Sequence, residues 1–530
     1  MLVHILLYSD ELGIANPLGA ARGKHTLFVV YYSILNIHPK YRSQLRLLHI
    51  AIIAKYPDVK KHGLPATLRP LLQELSELQS NGITISVNGK DVCLKVSVLA
   101  CAGDNLSMNR LGGFTCSFSR GSVCRFCMAQ SSQLPTLTRE GLCQVRTKEL
   151  HQSHLTAVEL NPALYKRLYG VNAPSSMSCL GNFDPTSQLP PDIMHDLFEG
   201  AFPFVVQHTV MGLLQDGILS ESDLDKIATF QYGCNDRKNR PSELTVSLLK
   251  DKGVVTGTAT QKWCLFRLLP QIFPSGVPEG NLKWEVYLLL REVADIILAY
   301  EMPADALAYL ETKIQEFIRT FVECYPNQRL IPKLHYLIHY PRMISFFGPL
   351  TQVWCMRFEA KHQYLKNVAT KVKNFRNISK TLAERHQLLQ SYEFSELVFD
   401  EAPTMTGLKP AERSQMPACV LDALPRGKVW QAKSATVHHN TYVIGDVLVM
   451  SKGDEPKFAQ ICNIVSAQNE VVLLLEKLEV VEFRRHRFAF KVAKTGEKCV
   501  ARPGDEAVHD SLDLYFGGEV VPKCEIVLLD

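Results

Sequence analysis

The 530-residue sequence predicts a mixed α/β protein with a mostly helical middle and a small all-β region at its C-terminus. Three observations predict this fold class. Apolar runs rich in β-branched residues surround one helical pattern in residues 1–104. Apolar residues then recur at helical spacing from about 190 to 340, and short strands separated by turns follow from about 428. The predicted divisions are residues 1–120, 121–343 and 344–400, a linker at 401–427, and a β-rich domain at 428–530.

The first region is predicted to contain three strands, a helix and a further strand. Residues 1–10, 25–35 and 45–54 have the alternation and composition of strands. Leucines from Leu68 to Leu78 follow at helical spacing. Asn88-Gly89 between two apolar runs then predicts a hairpin of residues 83–87 and 92–101. Asp10 and Asp104 therefore stand at the ends of the first and last strands.

The remaining chain is predicted to be helical and then β-rich. The helices are expected at residues 191–202, where Pro203 stops the helix, and at 284–299, 304–324 and 357–392. The strands are expected at 435–437, 442–444, 447–449, 471–475, 488–490 and 525–529, which predicts a small barrel or sandwich.

Composition excludes several classes of protein. No run of 18 apolar residues occurs, so no membrane span is expected. The 15 cysteines are an odd number in a large chain with no convincing signal peptide, which favours a reducing compartment. A Cys-x-x-Cys pair there is more often metal-binding or redox-active than a structural disulfide. The net charge of +5 permits a nucleic-acid partner without arguing for one.

Asp10, Asp104 and Glu359 are candidate ligands for a catalytic metal site. Neighbouring parallel strands would bring the two aspartates together, and Glu359, from a later helix, would complete the site. Hard carboxylate oxygens suit Mg²⁺ or Mn²⁺. Two such ions about 4 Å apart support phosphodiester chemistry. The alternative is that each aspartate only shapes a turn.

Cys124, Cys127, His335 and His339 form a candidate zinc site. The cysteines are a Cys-x-x-Cys pair, and the histidines lie one helical turn apart. Two thiolates and two imidazoles satisfy tetrahedral zinc, but only the fold can join the two halves. The alternatives are buried thiols beside an unrelated helix, or other ligands, namely Cys116, Cys143, His151 and His154.

Two further groups of ionisable residues suggest sites. Helical spacing would place four residues on one face, as a metal site, the border of an active site or a solvated surface: Asp192, His195, Asp196 and Glu199. Basic residues after Glu359 could follow a phosphate backbone or simply be solvated: Lys361, Lys366, Lys371, Lys373 and Arg376. Residues 484–487 are a weaker basic cluster, interpretable as a nuclear localisation signal, a phosphate contact or a solvated strand edge.

Together these blocks resemble transposases of the CACTA/Mirage/Chapaev supergroup. The order of the blocks is also similar to that in Transib transposases and the catalytic subunit of the V(D)J recombinase. Any single block is weak, whereas five in the right order are specific. The blocks are Tyr8-Ser9-Asp10-Glu11 with residues 16–19, Gly103-Asp104-Asn105 with the cysteine pair, residues 192–196, residues 333–342, and residues 357–362.

The resemblance implies an RNase H-like core with the triad Asp10, Asp104 and Glu359, binding two Mg²⁺ or Mn²⁺ ions. It implies a helical zinc-binding insertion held by Cys124, Cys127, His335 and His339. The implied activity is metal-dependent DNA cleavage and strand transfer, by a nuclear homo-oligomer that binds DNA and no membrane.

The sequence departs from this family at its N-terminus. Family members usually carry a DNA-binding region before the first catalytic strand, and here that region is expected to be missing. The alternative function is therefore a catalytically inactive, domesticated remnant that binds DNA or protein. A third hypothesis is a metal enzyme centred on Asp192, His195, Asp196 and Glu199.

Overall fold

The computed structural model describes residues 1–14, 25–252, 255–273, 276–395, 402–438, 440–452, 455–506 and 510–523. Residues 16–19 of the first family-like block and the predicted strand at 525–529 lie outside these residues. The chain divides into two compact units. The first consists of residues 1–196 and 329–397, and the second of 197–328 and 398–530. Residues 121–343, expected as one insertion, are therefore divided between the units.

The first unit is built on a five-stranded sheet. Its strands are β1 (Leu2–Gly13), β2 (Thr26–Ile34), β3 (His49–Lys55), β4 (Ile83–Val87) and β5 (Lys90–Ala102). They lie in the order β3-β2-β1-β5-β4. β1 pairs antiparallel with β2 and parallel with β5, and β4 forms the outer edge. The parallel pairing requires a crossover, which the Leu64–Ser80 helix provides.

The predicted order of three strands, a helix and a further strand is confirmed. The third strand begins later than expected because Leu45–Leu47 forms a 3₁₀ turn before it. Asn88 and Gly89 both have positive φ, at 51° and 74°, as a tight hairpin between β4 and β5 requires.

The sheet is covered on both faces. Ile5 and Leu7 of β1 pack with Leu68 and Leu72 of the crossover helix. Tyr8 points to the opposite face, because side chains alternate along a strand, and stacks on Phe358 with 4.7 Å between ring centroids.

The basic stretch predicted as one helix at 357–392 is two helices, Met356–Val372 and Ile378–Ser395. Lys373 has φ of 54° and ends the first in a left-handed cap. The other helical segments of this unit, 3₁₀ turns included, are Pro39–Arg42, Tyr56–His62, Asn105–Gly112, Leu134–Thr136, Glu140–Leu142, Lys148–Leu160, Pro162–Tyr169, Pro332–Tyr336, Leu337–His339, Tyr340–Phe347 and Leu350–Gln352.

The helix predicted to stop at Pro203 instead continues. A π-helix, Met194–Ala201, is followed directly by the α-helix Phe202–Gln215. Pro203 lies in the first turn of that α-helix, where its missing N–H costs little. The whole run Met194–Gln215 has the length and mean hydropathy of a membrane span. Buried core helices share these properties, and 61% of its most apolar window is buried.

The second unit combines helices with an all-β C-terminal region, and the predicted β-rich character from 428 is confirmed. Its main helices are Phe202–Gln215, Ala259–Ile272, Leu282–Ile297 and Ala306–Cys324. Shorter helical segments are Glu221–Asp225, Lys226–Thr229, Arg237–Asn239, Leu248–Lys252, Arg413–Gln415, Ala418–Ala423 and Arg485–Arg487.

Eleven strands are described in this unit. They form a three-stranded sheet, β10-β9-β6, and a larger sheet, β15-β16-β14-β13-β12-β8-β7, with β11 also paired to β12. The strands are β6 (Thr404–Thr406), β7 (Lys409–Ala411), β8 (Val429–Ala432), β9 (Ser434–Val437), β10 (Asn440–Val443), β11 (Val447–Ser451), β12 (Lys457–Ala467), β13 (Glu470–Arg484), β14 (Ala489–Ala501), β15 (Leu514–Tyr515) and β16 (Glu519–Val520). β6 and β7 lie within 401–427, the segment expected as a linker.

Buried polar contacts join the helices and strands of the second unit. Asp236 forms an ion pair with Arg267 and accepts a hydrogen bond from the Tyr515 hydroxyl. The basic cluster at 484–487 also serves this packing. Arg485 pairs with Glu285 and Glu292, and Arg487 pairs with Glu519. These ion pairs leave the cluster poorly suited to phosphate contact.

Candidate metal centre and acidic site

Cys124, Cys127, His335 and His339 converge in the first unit. All four side chains are buried, and one ligand atom from each lies within 4.8 Å of the others. Cys124 Sγ is 3.5 Å from His339 Nε2, and Cys127 Sγ is 3.3 Å from His335 Nε2. Two sulfurs and two imidazole nitrogens match the ligand set of structural zinc. The cluster can therefore hold a metal ion such as zinc.

Local backbone structure presents each half of this cluster. The cysteine loop is pinned by two short bridges, Ser122 to Gln130 and Cys127 to Val145. The buried Arg146 donates to the carbonyls of both Cys124 and Cys127. The histidines lie on consecutive α and 3₁₀ turns, Pro332–Tyr336 and Leu337–His339, which bring both rings to the same side.

Glu140 supports one of the candidate ligands. Its Oε1 is 2.5 Å from His339 Nδ1 and accepts a 2.8 Å hydrogen bond from Arg342 Nε. Burial alone would raise the pKa of Glu140, but the contacts with His339 and Arg342 lower it below its ordinary value. An ionised carboxylate on Nδ1 leaves Nε2 facing the sulfurs, as in the carboxylate–histidine–zinc arrangement.

The four alternative ligands do not join the cluster. Cys143 lies beside Cys127 but outside the group of four. His154 stacks on Tyr169 at 4.0 Å, and His151 packs against Phe114 at 5.1 Å. Cys116 is exposed.

A second cluster contains Asp10, Glu359 and His362, whose ligand atoms also lie within 4.8 Å of one another. Tyr8 links them: its hydroxyl donates to Glu359 Oε1 at 2.7 Å and lies 3.2 Å from Asp10 Oδ2. His362 Nε2 is 3.3 Å from Asp10 Oδ2, and its Nδ1 is 3.3 Å from the Tyr31 hydroxyl. Both carboxylates remain partly exposed, at 24% and 33%, so the site opens to solvent.

The pKa values of the two carboxylates are shifted in opposite directions. Burial and the charge on Asp10 raise the pKa of Glu359 above its ordinary value. Burial also opposes ionisation of Asp10, but its contact with His362 outweighs burial and lowers its pKa. Burial raises the pKa of Tyr8 well above its ordinary value, so the hydroxyl remains a donor. Like charges held this close favour a bound cation.

Asp104 lies at the predicted strand end but outside this cluster. It lies just beyond β5, after Gly103, and caps the Asn105–Gly112 helix, accepting a 2.6 Å hydrogen bond from the Ser107 amide. β1 and β5 are parallel, with Tyr8 opposite Ala102. The backbone still runs beside β1 at Gly103, where an added Cβ would lie 3.1 Å from the Ser9 carbonyl. The structure therefore brings Asp10 and Glu359 together and leaves Asp104 as the cap of the helix that follows the neighbouring strand.

The face expected of Asp192, His195, Asp196 and Glu199 forms only in part: Asp192 and His195 join Cys355 in a group that could hold a metal ion, whereas Asp196 and Glu199 lie outside it. Asp192 precedes the helix, and the wider turn of the π-helix breaks the assumed periodicity. Asp192 Oδ2 lies 2.7 Å from His195 Nδ1, and the other carboxylate oxygen of Asp192 accepts a hydrogen bond from the Cys355 amide. The interaction with His195 opposes the rise in the pKa of Glu359, which places this imidazole near the acidic site. Glu199 belongs to the second unit.

Sequence reasoning placed Tyr8 and His362 in family-like blocks, and His362 in the basic run after Glu359, but gave neither a role in the acidic site and gave none to Glu140. Two of them had a usable signal: Tyr8 is two residues from Asp10 on one strand face, and His362 is one helical turn from Glu359. Glu140 had none, because it approaches His339 only through the fold.

Of the proposed DNA contacts, Lys361 is wrongly assigned. Its side chain is buried, and Nζ donates to the Leu45 carbonyl at 2.8 Å. Burial lowers its pKa to about 8. The other four are exposed: Lys366, Lys371, Lys373 and Arg376.

No protein-family model matches the sequence, and no curated protein is significantly similar to it. The chemistry of this chain must therefore be argued from its own sites.

Proposed function

We propose that this protein is a transposon-derived DNA strand transferase of the DDE type, built on an RNase H-like core. Its substrate would be DNA, its location the nucleus and its active form a homo-oligomer. Asp10, Asp104 and Glu359 would bind two Mg²⁺ or Mn²⁺ ions. Cys124, Cys127, His335 and His339 would bind a structural Zn²⁺.

One observation carries the proposal. Tyr8 on the first strand and Glu359 on a helix 351 positions later meet at 2.7 Å, beside Asp10. Two carboxylates this close repel one another when both are ionised, and a cation between them would relieve that repulsion. Asp104 follows the end of the parallel strand β5 at the same edge of the sheet, which supports the resemblance in the sequence.

The protein groups have distinct tasks in this reaction. When bound, Mg²⁺ or Mn²⁺ would activate the attacking hydroxyl and neutralise charge on the phosphate. Asp10, held ionised by its contact with His362, is the stronger cation ligand. Tyr8 orients Glu359 by a hydrogen bond, and Asp192 fixes the ring of His195 beside the same carboxylate. The exposed Lys366, Lys371, Lys373 and Arg376 would contact the DNA backbone.

The test is nicking of supercoiled plasmid in Mn²⁺, which requires no known target sequence. We expect wild type to nick DNA and Glu359→Gln and Asp10→Asn to be inactive. Glu384→Gln is the matched control, because this exposed helical carboxylate pairs only with Lys380 among the described contacts. Nicking that survives Glu359→Gln would refute the proposed triad.

The same assay addresses the alternative function. DNA that binds without being nicked by any variant, in Mn²⁺ or Mg²⁺, would identify a DNA-binding remnant. Neither binding nor nicking would leave a protein-binding remnant as the better explanation.

A further inference from the structure

A buried hydrogen-bonded chain connects the Cys/His cluster with two segments that lie beside the acidic site. Arg125 Nη1 donates to Asn105 Oδ1 at 2.5 Å, and Asn105 Nδ2 donates to Asp196 Oδ1 at 2.6 Å. The Tyr340 hydroxyl donates to the other oxygen of Asp196 at 3.2 Å. Arg125, Asp196 and Tyr340 are almost completely buried. We call these four residues the Arg125–Tyr340 link.

One side of the link is built into the Cys/His cluster. Arg125 lies between Cys124 and Cys127, and Tyr340 directly follows His339. Arg125 also donates to the carbonyls of Leu189 and Pro190, which fixes its guanidinium at three points. A metal that joins the cysteine loop to the histidine turn would therefore set the separation of Arg125 and Tyr340.

The middle of the link adjoins, in sequence, two residues near the acidic site. Asn105 directly follows Asp104, and Asp196 directly follows His195. Buried charges need fixed partners, and Asp196 has hydrogen bonds from Asn105 and Tyr340 and the nearby charges of Arg125 and Lys333. Displacing the link would therefore displace Asp104 and His195 at the same time.

We propose that metal in the Cys/His cluster positions the acidic site through the Arg125–Tyr340 link, with Arg125 and Asn105 as positioning residues. This inference rests on the proposed function only in naming the acidic site as a cation site. The proposal predicts that metal in the Cys/His cluster does more than stabilise the fold. Loss of the link weakens Mn²⁺ binding at the acidic site while the Cys/His cluster remains filled.

The experiment compares Asn105→Ala and Arg125→Gln with wild type in the full chain. Zinc content and the absorption of Co²⁺ in the Cys/His cluster report whether that cluster is intact. Mn²⁺ affinity is measured from the paramagnetic signal of free Mn²⁺. We expect full zinc content and an at least tenfold weaker Mn²⁺ affinity in both variants. Asn105→Ala serves if Arg125→Gln does not fold.

Arg120→Gln is the control. Arg120 lies just before the cysteine pair, is exposed to solvent, and its side chain has no described contact with Asn105 or Asp196. With zinc saturating, this variant should bind Mn²⁺ as wild type does. Equal Mn²⁺ affinity in Asn105→Ala and wild type would overturn the inference, as would an equal loss in Arg120→Gln.

Hydrogen exchange separates this inference from the proposed function. In Asn105→Ala and after zinc extraction, amides in residues 104–112 should exchange faster, because the Asp104 cap loosens. This readout needs neither DNA cleavage nor Mn²⁺. Faster exchange in a protein that never nicks DNA would support the positioning role of the link and refute the proposed transferase activity. Unchanged exchange would reject the link, whatever the nicking activity.

Discussion

Replacing Glu140 by glutamine tests whether the Cys/His cluster is a supported zinc site. Glu140 accepts a 2.5 Å contact from His339 Nδ1, and the imidazole is fully buried, so water cannot replace the lost charge. Glutamine keeps the size of the side chain and removes only the negative charge. The expected result is weaker zinc binding with an unchanged fold.

The magnitude follows from the geometry. Substituting such an outer carboxylate typically lowers metal affinity by about 10- to 100-fold. This equals about 1.4 to 2.7 kcal/mol, at about 1.4 kcal/mol for each factor of ten. Arg342 loses a charged acceptor in the same variant, which adds to the cost.

The assay is competition for zinc against a chromophoric chelator. Glu149→Gln is the control, because this carboxylate is fully exposed on the following helix. Its zinc affinity should equal that of wild type. An unchanged affinity in Glu140→Gln would refute the assignment of Glu140 as a supporting carboxylate. An affinity lowered equally in both variants would attribute the effect to net charge.

Three further predictions concern the rest of the chain. Arg267→Met leaves the buried Asp236 unpaired and should lower the free energy of unfolding by about 3–5 kcal/mol in urea titrations, whereas Lys262→Met on the same helix should change it little. Burial raises the pKa of Asp295 to about 6, above its unfolded value of about 3.9, so the folded chain binds this proton more tightly. The free energy of unfolding of wild type, relative to that of Asp295→Asn, should therefore fall by about 3 kcal/mol as the pH rises from about 4 to about 6. Chemical unfolding at each pH measures this difference. A difference that does not change with pH would contradict the raised pKa of Asp295. The double variant Lys366→Gln, Lys373→Gln should bind duplex DNA more weakly in fluorescence titrations. The slope of log affinity against log salt concentration should become shallower by about 0.9 for each lost phosphate contact, whereas Arg485→Gln should leave this slope unchanged.

The sheet of the first unit could be predicted because its signals are local. Alternating apolar residues, one leucine-rich helix and the turn at Asn88-Gly89 each specify a short segment without help from distant residues. The two-helix break at Lys373 could not be predicted in this way. A left-handed lysine carries no sequence signal comparable to that of glycine.

The candidate sites were predicted from chemistry more than from pattern. Sulfur and imidazole ligands suggested zinc, but only the folded chain separates His335 and His339 from His151 and His154. Tyr8 was missed because an aromatic residue on a buried strand usually belongs to the core. No local sequence signal indicates that residues 197–328 and 398–530 form one unit. Their association depends on contacts between distant residues, such as that of Asp236 with Tyr515.

The separation of the Cys/His ligands has a consequence for how the chain folds. Cys127 and His335 are 208 positions apart, and the intervening chain includes much of the second unit. During synthesis the cysteine half emerges long before its histidines, so the thiols must wait reduced and unpaired. Closing so long a loop is entropically expensive, and non-local contacts of this kind slow folding. A metal ion such as zinc could therefore join the two halves of this cluster only after the histidine half has been synthesised.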